Sequence, residues 1–137
     1  MRFYGREDII GQLGDLWGKS VSSLVTCRGR RRIGKSTLIE KFAERTKARF
    51  LKIEGVRPTD QMSDEGERRF FAEQLSLQAG TEKSCPDSWL SAFQRLSTVV
   101  RDDERTVILL DEVSWMAYYD EGFAGSLKIA WDNYLKK

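Results

Sequence analysis

Between a short apolar run, Ser23–Cys27, and an amphipathic stretch, Gly34–Thr46, the chain reads G-x-x-x-x-G-K-S at Gly29–Ser36. That order of elements restricts the fold more than anything else in the sequence. Glycines let a loop curl without Cβ clashes, so several backbone N–H groups converge on one point. A helix starting at Gly34 aims its positive end at the same point. A polyphosphate fits such a nest. The nest-forming set is Gly29, Arg30, Arg31, Arg32, Ile33, Gly34, Lys35, Ser36 and Thr37. Lys35 supplies mobile positive charge for the β and γ oxygens, a catalytic as well as a binding role, and Ser36 offers a hydroxyl to Mg²⁺.

A second constellation lies downstream. Thr106–Leu110 (TVILL) is the most apolar short run in the chain, it is flanked by charge, and it ends in Asp111-Glu112. A strand buried on both faces reads this way. Magnesium prefers oxygen ligands and keeps several waters. Asp111, at the carboxyl end of the strand, is placed as its carboxylate, and Glu112 as the base that orients and deprotonates an attacking water. In isolation, an acidic pair after an apolar run is also how many strands end in a charged turn; the coupling to the glycine loop is what gives it weight.

The rest of the chain alternates helix-like and strand-like segments. This predicts one α/β domain over residues 1–137, three-layered with a mostly parallel sheet. Arg6–Trp17 carries apolar residues at helical spacing. Gly34–Thr46 puts Leu38, Ile39, Phe42 and Ala43 on one face, and Arg49–Glu54 (RFLKIE) alternates as a second strand. Ser63 or Asp64 caps a helix running to about Ala79 with Phe70, Phe71, Ala72, Leu75 and Leu77 as its stripe, and Gly80 ends it. Ser88–Val100 is helical through Trp89, Phe93, Leu96 and Val100. Phe123–Leu135 follows with Phe123, Leu127, Ala130, Trp131 and Tyr134 on one stripe.

Composition removes several function classes. The chain has no histidine, which excludes His-based triads, and its two cysteines, Cys27 and Cys85, form no CxxC. With 23 basic and 21 acidic side chains it is not a general polyanion binder. The N-terminus lacks a signal-peptide core, and no run approaches the roughly 18 apolar residues of a membrane span. A reducing cytoplasm is the expected setting.

FYGRE near the start, CRGRRRIGKSTLI in the loop and VILLDE in the acidic strand together resemble the AAA+/STAND-type ATPases, closest to the prokaryotic group with a GRRRxGK[ST] loop. The resemblance implies a P-loop NTPase fold and ATP with Mg²⁺ as ligands; no NKxD-type guanine-reading motif is visible. It implies that Phe3–Arg6 lies near the adenine, that Lys35 and Ser36 bind phosphate and metal, and that Asp111 and Glu112 are the metal and water-activating carboxylates. It also implies a sheet whose fourth strand, with a polar sensor residue, lies between the first and third. Only three strands are readable before Lys137. The expectation is therefore an N-terminal part of a larger ATPase, truncated before the fourth and fifth core strands. The missing remainder and an unknown effector domain are its expected partners, the chain by itself is expected to bind nucleotide with little turnover, and two strand edges are expected to be left unpaired and open to self-association.

Three functions stay open at this point: an ATPase, a nucleotide-gated switch or scaffold with negligible hydrolysis, and a nucleic-acid module acting through Arg30–Arg32. The arginines serve phosphate or a partner subunit, or DNA, or are solvated charge; without interleaved aromatics the nucleic-acid reading is the least favoured. Trp115, Tyr118 and Tyr119 stack on a base or pack as core or interface, the latter being favoured. Trp89 and Trp131 read as core. Cys27 abuts the basic loop and is either reactive or a buried structural thiol.

Overall fold

The computed structural model describes residues 22–26, 35–100 and 104–135. The expected helix Arg6–Trp17, the loop Gly29–Gly34 and Cys27 lie outside the described residues. Three strands, β1 (Ser22–Thr26), β2 (Arg49–Glu54) and β3 (Thr106–Asp111), alternate with helices α1 (Lys35–Arg45), α2 (Asp64–Ala79), α3 (Trp89–Ser97), α4 (Val113–Met116) and α5 (Phe123–Ala130), the last running into a π turn at Trp131–Leu135. No described helix is long and apolar enough to cross a membrane.

β3 is the middle strand and pairs in parallel with both neighbours, Ser22–Thr26 against Thr106–Leu110 and Arg49–Glu54 against Thr106–Asp111. All of its residues are buried, as parallel pairing on both edges with helices on both faces requires. The expected gap between the first and third strands is therefore corrected. β1 lies directly against β3, and no inner edge is left unpaired. Side-chain alternation then sorts the layers. Val107 and Leu109 meet Ile39 and Ala43 of α1 on one face. Ile108, Leu110, Leu24, Leu51 and Ile53 meet α2, α3 and α5 on the other. The result is helix, sheet, helix, an α/β architecture with a parallel sheet.

The thicker layer is organised by aromatics. Phe71, Trp89, Phe93 and Phe123 form edge-on and stacked contacts with ring centroids 4.9–5.8 Å apart. Trp89 Nε1 donates to Asp64 Oδ1 at 2.8 Å, which satisfies the one polar atom of that ring. Ser63, one of the two expected caps, accepts from the Gly66 N–H at the start of α2, and Gly80 ends α2 in the left-handed region as the sequence predicts. Ser88, read from the sequence as the first residue of its helix, instead caps α3 by accepting from the Ser91 N–H.

Three apolar stripes differ from expectation. On α2, Leu77 is 83% exposed while Glu67 is buried. On α1, Leu38 is exposed beside the buried Ile39. At the end of α5, Leu135 replaces Tyr134 in the core. The last shift has a geometric cause: a π turn takes more residues per turn than an α-helix, so the position four after Trp131 returns to the buried face and the position three after does not.

The outer edge of β2 is closed by side chains. Gln78 accepts from the Lys52 N–H at 2.9 Å and donates to the Lys52 carbonyl at 2.6 Å. Gln74 does the same at Glu54, at 2.8 Å each. Four helical residues rise about 6 Å and two strand residues about 6.6 Å, so glutamines one turn apart match carbonyls two residues apart. Two amides thus stand in for a neighbouring strand and blunt the edge.

α1 ends in a Schellman turn: the Ala48 N–H donates to the Ala43 carbonyl at 2.8 Å and the Lys47 N–H to Glu44 at 3.1 Å. The residue in the left-handed position is Lys47, at φ 57°. Lys47→Gly is expected to raise stability by about 0.5–1 kcal/mol, because a Cβ is disfavoured there; urea unfolding is the measurement, and a loss of stability would show that the lysine side chain matters more than its backbone.

Candidate functional site

Parallel strands end at one edge of a sheet, and ligands of open α/β sheets gather at the carboxyl ends of the strands. Here that edge holds the ends of β1, β2 and β3. In the register, Thr26 stands opposite Leu110, one residue before Asp111, and Glu54 stands opposite Asp111. The strand entering the G-x-x-x-x-G-K-S run and the helix leaving it are both in place: β1 ends at Thr26 and α1 begins at Lys35. Residues Gly29, Arg30, Arg31, Arg32, Ile33 and Gly34 lie outside the described residues. Lys35 and Ser36 form the first turn of α1, and Thr37 behind them is exposed.

Asp111 shares with Val107 and Leu109 the face of β3 that α1 covers, because residues two apart on a strand point the same way. It is 9% exposed. Its Oδ1 accepts the Glu112 N–H at 3.0 Å, which orients the carboxylate. Its Oδ2 lies 3.9 Å from Lys52 Nζ, and Lys52 Nζ lies 3.0 Å from Glu54 Oε1. Among the described residues no cluster of three or more His, Cys, Asp and Glu has the arrangement to hold a metal alone. Magnesium needs no such cluster, since one or two carboxylates with waters and substrate phosphates suffice. A single oriented carboxylate at a strand end fits that requirement.

Glu112 is buried and sits at φ 56°, ψ 46° at the start of α4. A glutamate in the left-handed region costs on the order of 1 kcal/mol. The conformation turns the chain sharply after β3, so that Glu112 leaves the alternation of the strand. The turn is packed against Gly55, whose N–H donates to the Asp111 carbonyl at 2.9 Å. A Cβ at Gly55 would stand 2.5 Å from the Glu112 carbonyl oxygen.

Behind Gly55, the Val56 N–H donates to Glu67 Oε1 at 3.0 Å. Glu67 is 2% exposed, and its Oε2 is buried without a hydrogen-bond partner. Burial pushes its carboxyl up to about 7, opposed by the Val56 hydrogen bond and reinforced by the negative charge of Asp64. Tyr119 lies near it, its phenol raised by burial first and by Glu67 second. Tyr118 is 66% exposed and meets Tyr119 edge-on at 4.9 Å. Of the tryptophans, Trp89 and Trp131 are core, as expected.

Sequence reasoning did not single out Lys52, Glu54, Gly55 or Glu67. Lys52 and Glu54 carried a signal: they share the alternation of Phe50 in RFLKIE and so point to the α1 face beside Asp111. Glu67 sits at helical spacing from Phe71 and Leu75, but among Asp64, Glu65, Arg68 and Arg69 it reads as part of a solvated, charged first turn.

Comparison with known proteins gave no match to a family model, to a curated protein or to a solved structure.

Proposed function

We propose that this chain is an ATP-binding P-loop domain, cytoplasmic, that binds ATP with Mg²⁺ and turns it over slowly by itself. The AAA+/STAND resemblance rests on its motifs, since that type sets a strand between β1 and β3, which are paired directly here. One observation carries the reading beyond the motifs. The strand leading into the G-x-x-x-x-G-K-S run is hydrogen-bonded to the strand that ends in Asp111, with Thr26 opposite Leu110. The end of that strand at Thr26 and the acidic pair thereby lie at the same edge of the sheet.

In this reading the amides of Gly29–Gly34 and the start of α1 cradle the phosphates, and Lys35 neutralises charge on the β and γ oxygens. Magnesium, held by Ser36 and through Asp111, would neutralise charge that develops on the transferred phosphoryl group. Glu112 orients a water in line with the γ-phosphorus and takes its proton. The new bond is water oxygen to phosphorus; the bond that breaks is the β–γ bridge, its electrons passing to the β-phosphate. Catalysis is positioning and electrostatics.

Calorimetric titration with ATP and GTP, with and without Mg²⁺, tests the proposal. Binding of ATP is expected in the parent, weakened more than tenfold in Lys35→Ala. Glu112→Gln is expected to bind ATP and release less phosphate than the parent. Equal ATP affinity in the parent and in Lys35→Ala would remove the assignment. Salt-sensitive DNA binding that survives Lys35→Ala would favour the arginine-mediated nucleic-acid reading instead.

A further inference from the structure

We propose that Lys52 is the resident cation of the acidic site and that Glu54 is the carboxylate that draws it aside, so that the pair sets how tightly Asp111 takes up magnesium. The inference rests on the nucleotide reading above. Lys52 Nζ stands between two carboxylates, 3.0 Å from Glu54 and 3.9 Å from Asp111. A lysine ammonium is a compact charge on a flexible stem, able to move between two such partners. An ammonium beside Asp111 competes with a divalent ion for the same oxygen and repels it. The Lys52 side chain is 28% exposed and the Asp111 side chain 13%, so solvent screens this competition in part.

The two residues are also held with unusual care for an edge strand. Gln78 grips both backbone polar groups of Lys52, and Gln74 both of Glu54. The backbone positions from which both side chains reach are therefore fixed by α2. What is left to move is the ammonium, between the partner that lies closer and the one that the metal needs. Glu54 opposes Asp111 across the β2–β3 pair, which makes it the natural second holder of the lysine once Asp111 is engaged.

A magnesium titration at fixed ATP, read by calorimetry on the full chain, separates the roles. Lys52→Met is expected to lower the magnesium midpoint about fivefold (~1 kcal/mol). Glu54→Gln is expected to raise it by a similar factor. In the Lys52→Met background Glu54→Gln is expected to have a clearly smaller effect than in the parent, since part of its action runs through the lysine. Lys52→Arg, which keeps the charge, is expected to stay within about twofold of the parent. A parent that binds Mg²⁺ and ATP while Lys52→Met and Glu54→Gln titrate as the parent does overturns this inference alone. An effect of Glu54→Gln as large without Lys52 as with it also overturns it. A parent with no magnesium-dependent ATP binding overturns it together with the nucleotide reading.

Discussion

Gly55→Ala is expected to destabilise the protein by about 2–3 kcal/mol and to weaken ATP binding further than the loss of stability alone explains. The added methyl group would stand 2.5 Å from the Glu112 carbonyl oxygen and 3.1 Å from both the backbone nitrogen and the Cγ of Met116. Two of those three atoms are backbone, so no rotamer change relieves the contact. Either β2 must pull away from β3, breaking the hydrogen bond from the Gly55 N–H to the Asp111 carbonyl, or the turn carrying Glu112 must move. That turn is already held in the left-handed region and has little freedom to yield. The control is Gly125→Ala, where a Cβ meets nothing within 4 Å. In that helix it is expected to stabilise by about 0.5–1 kcal/mol. Urea unfolding of both variants is the measurement. A Gly55→Ala protein within about 0.5 kcal/mol of the parent would mean that the acidic turn is not pinned by β2.

Much of this arrangement is legible in the sequence, and the limits follow a pattern. The ends of α2 are readable because their chemistry is local: Ser63 and Gly80 do their work within a few residues of their own positions. β3 was readable because TVILL has no polar face to expose. Strand neighbours were not, since hydrogen bonding between Ser22–Thr26 and Thr106–Leu110 joins segments far apart in sequence and leaves no periodicity behind. The resemblance to a larger ATPase placed another strand between them, and the register corrected it. Gln74 and Gln78 were invisible for the same reason, because polar residues on a helix read as solvated until the strand edge beside them is known. In the candidate site, Asp111 and Glu112 were marked by their position after a buried strand, whereas Lys52 required knowing which strand lies beside β3.

Glu67→Gln is expected to make stability nearly independent of pH where the parent loses it. The parent carboxyl has an ordinary value of 4.5 and is raised to about 7 in the folded protein by burial, with the Asp64 charge adding to the shift and the Val56 N–H opposing it. Between those two values the folded protein holds a proton that the unfolded chain releases. Stability from this group is therefore complete below about pH 4.5 and is lost as pH rises through about 7. The expected loss is about 2 kcal/mol once solvent screening is allowed for. A glutamine keeps an oxygen for the Val56 N–H and carries no charge, so it imitates the protonated acid at every pH. The variant should match the parent near pH 4.5 and exceed it at pH 8. The neighbouring groups sharpen the test. Asp64 is tied to Arg68 at 3.1 Å and to Trp89 at 2.8 Å, and Tyr119 is raised above its ordinary value of 10.0 and so keeps its proton across the range. Urea unfolding from pH 4.5 to 8 on both proteins, with carbon-13 detection of the Glu67 carboxyl, decides the matter. A carboxyl titrating at its ordinary value would show that water reaches Oε2. A glutamine variant weaker than the parent at pH 8 would show that the loop behind Gly55 is held by the carboxylate's charge and not by a neutral hydrogen bond.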